Sequence, residues 1–226
     1  MKKYAIIVGG GKGSRMGHST PKQFLLLEGK PVLSHAIASF LKAFDGIEII
    51  LVLPSGWLDK GHSIMQDFAS KWSYQVCQGG DTRFHSVKAG LKCIKEPSIV
   101  FIHDAVRCLV TPKLIQRCYD TALREGSAIP VIDSKDSVRL LDGETSTVID
   151  RSRVKLVQTP QTFRSEMILA AFQATYHEKF TDEATIVEAM GVSVSLIEGE
   201  EQNIKITTPI DLLIAAQWLT AHNRQE

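Results

Sequence analysis

The sequence predicts an α/β fold in which helices flank a mostly parallel sheet, and three observations support this prediction. Short runs rich in isoleucine and valine alternate with longer segments of helical periodicity. Two of the longer segments begin with Thr-Pro, which is typical of an N-cap followed by proline at the first helical position. Repeated strand–helix–strand units imply right-handed crossovers, and therefore parallel strands with helices on both faces.

The short apolar runs are the candidate strands of this sheet. We expect strands at residues 4–8, 48–53, 74–78, 98–103 and 127–131. Each run is four to eight residues long, which suits a buried strand better than a helix.

The longer segments are the candidate helices. Apolar side chains between residues 32 and 44 fall on one helix face. The first Thr-Pro pair predicts a helix over residues 112–125, closed by a glycine. An apolar face over residues 167–176 predicts another helix, and the second Thr-Pro pair begins a final helix at residue 209.

A polar segment over residues 133–158 interrupts this alternation and predicts a protruding β-hairpin arm on a single domain of residues 1–226. Short alternating segments at 138–140 and 147–149 flank Asp142-Gly143, a hairpin turn signal. An isolated two-stranded hairpin is marginally stable in water. We therefore expect the arm to pack on a second subunit.

Composition limits the classes of function. Lysine and arginine number 26 against 25 acidic residues, a balance that excludes the strong basic field of a general nucleic-acid binder. No apolar run approaches the roughly 20 residues of a membrane span, and the first apolar stretch is too short for a signal peptide. The four cysteines form no CxxC pair. We expect a cytoplasmic protein with reduced thiols and neither nucleic-acid nor membrane partners.

A glycine-rich loop directly after the first strand is the strongest chemical signal. Residues 9–17 read GGGKGSRMG, and Arg15 and Lys22 add cations near them. Glycines allow backbone amides to approach an anion, so the loop predicts a phosphate cradle. The spacing matches neither a P-loop nor the GxGxxG dinucleotide fingerprint. The alternative is a flexible turn with solvated cations.

Two further motifs follow other strands. Asp104 ends the fourth strand in HDAVR (residues 103–107), where it could bind magnesium or a ribose hydroxyl, or only cap a helix. Residues 79–87 read GGDTRFHSV, and Asp81 and Ser86 could contact the polar edge of a base. By itself this second motif is better explained as a plain loop.

The carboxyl-terminal third carries weaker signals. Thr181 and the two acids after it look like a helix start that needs no functional role. Lys205 stands in a strand-like segment, where a lysine is usually a solvated edge charge.

Taken together, the motifs resemble those of one family. The run PKQ follows the glycine loop, and QTPQTF, TDEA and EG…NIKITTP follow HDAVR in order. This ordered set resembles the 2-C-methyl-D-erythritol 4-phosphate cytidylyltransferase family, within the sugar- and polyol-phosphate nucleotidyltransferases. The resemblance runs from the first strand to the last helix.

This resemblance implies a reaction, a fold and an assembly. The reaction converts CTP and methylerythritol phosphate into CDP-methylerythritol and pyrophosphate with magnesium, in non-mevalonate isoprene biosynthesis. The fold is Rossmann-like. The assembly is a homodimer whose arm reaches the active site of the partner.

The resemblance also assigns roles to residues. Arg15 and Lys22 would stabilise the transition state, and Arg151 and Lys205 would position methylerythritol phosphate. The other residues expected near the substrate are Thr159, Thr181, Asp104 and Arg107, of which Asp104 would also meet the metal. The residues expected along the CTP site are Gly9, Gly10, Gly11, Gly13, Gly79, Asp81 and Ser86.

Other readings of the sequence stay open. Ribitol-5-phosphate cytidylyltransferases share the glycine loop and HDAVR, although residues 150–152, 181–184 and 186–188 resemble the isoprenoid family better. A nicotinamide-dependent oxidoreductase is disfavoured by the glycine spacing. A nucleotide sensor without turnover is disfavoured because Arg15 and Lys22 are both present.

Overall fold

A computed structural model of the chain describes residues 1–10, 20–68 and 72–223. Its strands are β1 (Lys2–Val8), β2 (Leu26–Leu27), β3 (Lys30–Pro31), β4 (Glu48–Leu53), β5 (Tyr74–Gln78), β6 (Ser98–Asp104), β7 (Ser127–Asp133), β8 (Val138–Asp142), β9 (Thr145–Ile149), β10 (Lys155–Val157), β11 (Gln161–Arg164) and β12 (Leu196–Glu198). Its α-helices are α1 (Val32–Ala43), α2 (Leu58–Gln66), α3 (Arg83–Leu91), α4 (Pro112–Glu125), α5 (Ser165–Ala171), α6 (Glu183–Glu188) and α7 (Pro209–Asn223).

The central sheet is mixed but mostly parallel, which confirms the predicted fold class. Its hydrogen-bonded order is β10-β7-β11-β6-β1-β4-β5, and β12 also pairs with β7. β1 lies between β4 and β6 and is parallel to both, and β5 extends the parallel part. β11 runs antiparallel between β6 and β7. All five predicted strands are present, and β4 and β5 have the predicted bounds.

Helices cover both faces of the sheet, as the alternation predicts. On one face, α1 and α4 bury side chains such as Ile37, Phe40 and Leu114 against the strands. On the other face, α3, α5 and α6 bury Val87, Ile168 and others. The parallel strands are therefore buried on both sides, which explains why they read as continuous apolar runs.

The sequence did not predict β10, β11 and β12. Val157 in β10 pairs with Val131, and Thr162 in β11 pairs with Ala128. Between these two pairs the chain that joins β10 to β11 advances five residues, whereas β7 advances only three. The two extra residues form a bulge that contains the cis peptide Thr159-Pro160. This bulge places Thr159 beside the end of β6, where its Oγ1 accepts a hydrogen bond from the Asp104 amide at 3.1 Å.

Two local predictions were wrong. The helix expected over residues 167–176 ends at Ala171, because the following residues turn back onto α3. There Phe172 stacks on Phe84 with ring centroids 4.8 Å apart, so tertiary packing accounts for the apolar pattern. The segment around Lys205 forms no strand. It is held instead by the amide of Ile206, which donates to the Val106 carbonyl at 3.0 Å.

The predicted hairpin is present as a separate two-stranded sheet, β8–β9, beyond the end of β7. Val138 pairs with Ile149, and Gly143 has φ of +58° in the turn. Leu141 and Val148 are 76% and 69% exposed. These apolar side chains are therefore not packed on the body of their own chain. Of the helices in the described ranges, none is long and apolar enough to cross a bilayer.

Candidate active site

The glycine loop begins, and the HDAVR motif lies, at the neighbouring carboxyl ends of β1 and β6. Val8 pairs with Asp104 in the parallel ladder, and the amide of Ala105 donates to the Val8 carbonyl at 3.0 Å. Gly9 continues β1 by donating to the Val52 carbonyl at 2.8 Å. The start of the glycine loop and Asp104 thus lie side by side, at the edge where open α/β sheets bind ligands.

Two of the predicted nucleotide residues, Gly10 and Gly79, lie against a third, Ser86. A Cβ atom on Gly10 would lie 3.2 Å from Ser86 Oγ, and one on Gly79 only 2.7 Å from it. Ser86 Oγ lies 3.0 Å from the Thr82 carbonyl, to which it donates, and 3.2 Å from the donating amide of Gly80. The close approach requires glycine at position 79. Because the Ser86 hydroxyl is buried in its own loop, its contact with a base stays a prediction.

Lys22 is held near Gly9, the first residue of the glycine loop, by its neighbour in the chain. It begins a 3-10 turn, Lys22–Phe24, in which the buried Gln23 donates a side-chain hydrogen bond to the Gly9 carbonyl. Phe24 stacks on Trp57 at 4.6 Å and fixes the other end of the turn. The predicted residues Gly11, Gly13 and Arg15 lie outside the described residues.

Asp104 is the centre of a cluster of positive side chains. Its Oδ1 lies 3.2 Å from Arg83 Nε, and its Oδ2 lies 2.8 Å from Lys205 Nζ and 3.9 Å from Arg107 Nε. Burial alone would raise the pKa of Asp104, but the charges of Arg83 and Lys205 lower that pKa well below its usual range. Asp104 is therefore an anion at neutral pH, and Lys205 belongs to the site rather than to a solvated edge.

Arg83 and Glu183 are site residues that sequence reasoning missed. Glu183 is 1% exposed, and its Oε1 accepts a hydrogen bond from the Arg83 guanidinium. Burial raises the pKa of Glu183, and Arg83 opposes this rise. The cap of α6 is Asp182, whose carboxylate accepts from the Thr185 amide at 2.9 Å. An acid that follows a helix cap can interact with the helix dipole or form an ion pair inside the protein, and the sequence looks the same in both cases.

His103 is a structural residue of this site. Its Nε2 lies 3.1 Å from the Arg107 carbonyl, and its Nδ1 lies 3.0 Å from Thr159 Oγ1. Since a carbonyl only accepts, Nε2 carries the proton and Nδ1 accepts from the threonine hydroxyl. Burial lowers the pKa of His103 to about 4. The ring is therefore neutral at pH 7 and orients Thr159, whose predicted substrate contact stays a prediction.

Arg107 joins the loop after β6 to two distant segments. Its guanidinium donates to the Asn203 carbonyl at 2.7 Å and to the Val157 carbonyl at 3.3 Å. Asn203 in turn donates to the Thr159 carbonyl at 2.9 Å. These bonds hold Thr159 and the segment of Lys205 next to Asp104. A direct contact between Arg107 and substrate stays a prediction.

The remaining predicted residues lie outside this cluster. Arg151 is exposed in the 3-10 turn Arg151–Arg153 of the arm, and it donates to the Lys135 carbonyl at 2.9 Å. Thr181 is exposed two residues before the start of α6, and Asp81 is exposed in the loop that precedes α3. The structure thus unites Asp104, Thr159 and Lys205 but leaves Arg151 on the arm.

Asp104 is the residue of this site that fits a metal ion. In the described part of the chain, no three His, Cys, Asp or Glu side chains are grouped to hold one. Magnesium needs only one or two carboxylates when phosphates and water supply its other ligands. Asp104 is ionised, and its partner Lys205 is 42% exposed and long enough to move aside. The donor set suits a magnesium ion held chiefly by a nucleotide.

Comparisons with known proteins agree with this geometry. The family model of 2-C-methyl-D-erythritol 4-phosphate cytidylyltransferase matches residues 4–221. The protein of that name from Bacteroides thetaiotaomicron is 46% identical over 219 residues, which cover 97% of this chain and 100% of that protein. The one from Phocaeicola vulgatus is 44% identical over 215 residues, or 95% of this chain and 98% of that protein.

Solved structures of proteins of this family have a similar fold. The 4-diphosphocytidyl-2C-methyl-D-erythritol synthase of Anaerococcus prevotii is similar with a TM-score of 0.82 and 28% identity, covering 97% of this chain and 98% of that one. The 2-C-methyl-D-erythritol 4-phosphate cytidylyltransferase of Thermus thermophilus has a TM-score of 0.77 and 29% identity, covering 97% of this chain and 100% of that one. With its glycine-rich motif, its Asp104 cluster and a family match over residues 4–221, the chain belongs to the 2-C-methyl-D-erythritol 4-phosphate cytidylyltransferase family.

Proposed function

We propose that the protein transfers a cytidylyl group from CTP to 2-C-methyl-D-erythritol 4-phosphate in non-mevalonate isoprenoid biosynthesis in the cytoplasm. The products are CDP-methylerythritol and pyrophosphate. The observation that carries the proposal is the meeting of Gly9, Gly10 and Gly79 with the cations around Asp104 at one edge of the sheet. Backbone amides and fixed cations of this kind suit a substrate rich in phosphate.

The nucleophile needs no general base from the protein. A phosphate monoester has a second pKa near 6, so it is largely a dianion at pH 7. One of its oxygens attacks the α-phosphorus of CTP, a new P–O bond forms, and the bond to the leaving pyrophosphate breaks. The neutral, buried His103 is consistent with a reaction that moves no proton in this step.

Positioning and charge stabilisation then account for catalysis. Amides of the glycine loop, Arg15 and Lys22 would stabilise the charge that develops around the α-phosphate. Lys205 would hold the phosphate of methylerythritol phosphate, with Thr159 and Thr181 nearby. Asp104 would hold magnesium, which supplies neutralisation of phosphate charge when it is bound with CTP.

We further propose that the protein is a homodimer in which the arm of each chain contacts the other chain. Hairpin β8–β9 forms its own small sheet and exposes Leu141 and Val148, while the exposed Arg151 lies in the 3-10 turn that follows β9. A hairpin of this size is marginally stable alone. We infer that it crosses to a second copy, where the Arg151 fork would grip the substrate phosphate.

The test of the proposed function is pyrophosphate release with CTP and alternative acceptors. We expect release with methylerythritol phosphate, and kcat/KM at least about 100-fold lower with ribitol 5-phosphate, because a site built for one polyol leaves polar groups unpaired with another. Faster release with ribitol 5-phosphate would instead identify the other cytidylyltransferase. No release with either acceptor would contradict cytidylyl transfer altogether.

Gly79→Ala tests the nucleotide loop. The added Cβ would stand 2.7 Å from Ser86 Oγ, so the loop or α3 must shift. We expect the KM for CTP to rise roughly tenfold or more, since a displacement of about 1 Å in a site can cost up to about 10²-fold. We also expect the preference for CTP over UTP, GTP and ATP to weaken, as pyrophosphate release with each nucleotide would measure.

Gly56→Ala is the matched control. A Cβ at this position meets no atom within 4 Å, and its backbone is not in the left-handed region. The kinetic constants of this variant should equal those of the wild type.

Equal rates of the wild type with all four nucleotides would refute base recognition by the loop that contains Gly79.

A further inference from the structure

Glu183 is a buried acid that the proposed mechanism does not use. It is 1% exposed, and its Oε2 has no hydrogen-bond partner among the residues that the structure describes. A buried carboxylate that is only half paired costs stability unless another gain offsets the cost. Its Oε1 pairs with the Arg83 guanidinium.

Arg83 connects this buried acid to the centre of the site. One terminal nitrogen of its guanidinium contacts Glu183, and its Nε donates to Asp104 Oδ1 at 3.2 Å. The three side chains come from α6, α3 and the last residue of β6, which are regular elements rather than mobile loops. Because guanidinium is a planar fork, holding one arm of it fixes the direction of the other.

The charges around Asp104 show what this fixation achieves. Three cations, Arg83, Arg107 and Lys205, approach one carboxylate. Without Glu183, Arg83 would be a partly buried cation with Asp104 as its counter-charge, and it would compete with Lys205 for both oxygens. With Glu183 present, Arg83 takes only Oδ1, while Oδ2 faces Lys205 at 2.8 Å.

We infer that Glu183 is a positioning residue. It restrains Arg83 on Oδ1 of Asp104, so that Oδ2 is left to Lys205 or, when Lys205 moves aside, to a metal ion bound with the nucleotide. The inference deepens the proposed function, on which it rests for the role of Asp104 in nucleotide binding. Glu183 itself contacts no substrate and acts only through Arg83.

A double-mutant cycle tests this inference. Glu183→Gln keeps the shape of the side chain and removes its charge, and Asp104→Asn removes the charge of the group on which Glu183 acts through Arg83. We expect Glu183→Gln to lower both CTP affinity, measured by calorimetry with magnesium, and kcat/KM by about 10- to 100-fold, the range typical of groups that orient a ligand. In the Asp104→Asn background the same change should cost less than about twofold, because coupled sites are not additive.

Glu48→Gln is the matched control for loss of a partly buried acid. Glu48 pairs with Lys2 at 3.3 Å and accepts from Gln75 at 2.7 Å. It is the first residue of β4 and therefore lies at the amino ends of the parallel strands, whereas Asp104 lies at their carboxyl ends. This variant should bind CTP like the wild type, and its effect should be equal in both backgrounds.

Two outcomes would overturn the inference: an equal loss from Glu183→Gln in both backgrounds, or unchanged CTP binding and kinetics. Thermal unfolding shows whether each variant folds. If Glu183→Gln does not fold, Arg83→Lys replaces it in the cycle, because lysine keeps the charge but loses the fork, and additivity would again refute the inference. A wild type that binds CTP without releasing pyrophosphate would refute the proposed function and leave the binding cycle interpretable.

Discussion

Replacing Lys22 with Ala should lower kcat by about 10²–10³-fold while changing the dissociation constant of CTP only a few-fold, since one preorganised donor to a developing charge is worth this much. Lys22 lies in a turn that a hydrogen bond from Gln23 ties to the Gly9 carbonyl, so the backbone at Lys22 is held near the end of β1 before the substrate binds. An interaction that strengthens in the transition state affects turnover more than ground-state binding. Pyrophosphate release at saturating CTP and calorimetric titration with CTP measure the two quantities separately.

Lys30→Ala provides the control for loss of a lysine in the same part of the chain. Lys30 is exposed in β3 and lies outside the site. Its removal should leave both constants near the wild-type values. If Lys22→Ala greatly weakens CTP binding but keeps normal turnover at saturation, Lys22 is a ground-state phosphate ligand and the assigned role is wrong.

Mixing two inactive variants, Arg151→Ala and Lys22→Ala, should restore about a quarter of the wild-type activity. In the proposed dimer each site combines Lys22 of one chain with Arg151 of the other. A mixed dimer therefore carries both lesions in one site and none in the other. With equal amounts and random exchange, half of the dimers are mixed and half of their sites are intact, which gives this fraction.

The experiment needs evidence that the subunits have exchanged, which two purification tags and a pull-down supply. Arg153→Ala is the control, since Arg153 is exposed in the same turn of the arm and should be dispensable. If exchange is verified and no activity returns, Arg151 serves its own chain and the shared site is wrong. A monomer in sedimentation at assay concentrations would contradict the arrangement independently.

The sequence alone determined the elements whose causes are local. The strands over residues 48–53 and 74–78 and helix α4 have their predicted bounds, because buried strands are continuous apolar runs and because Thr111 caps the helix that Gly126 ends at φ of +92°. The hairpin followed from Asp142-Gly143 in the same way. The order of the motifs likewise sufficed to predict the family, since each motif is a contiguous run.

Only the tertiary structure decided the features that depend on distant parts of the chain. β10, β11 and β12 are three or four residues long, too short for a periodic signal, and they exist as strands because β6 and β7 offer them partners. The contact between Arg83 and Glu183 joins residues 100 positions apart. The sequence identifies an acid after a helix cap, but whether it meets solvent or the Arg83 guanidinium depends on where the tertiary structure places the first turn of α6.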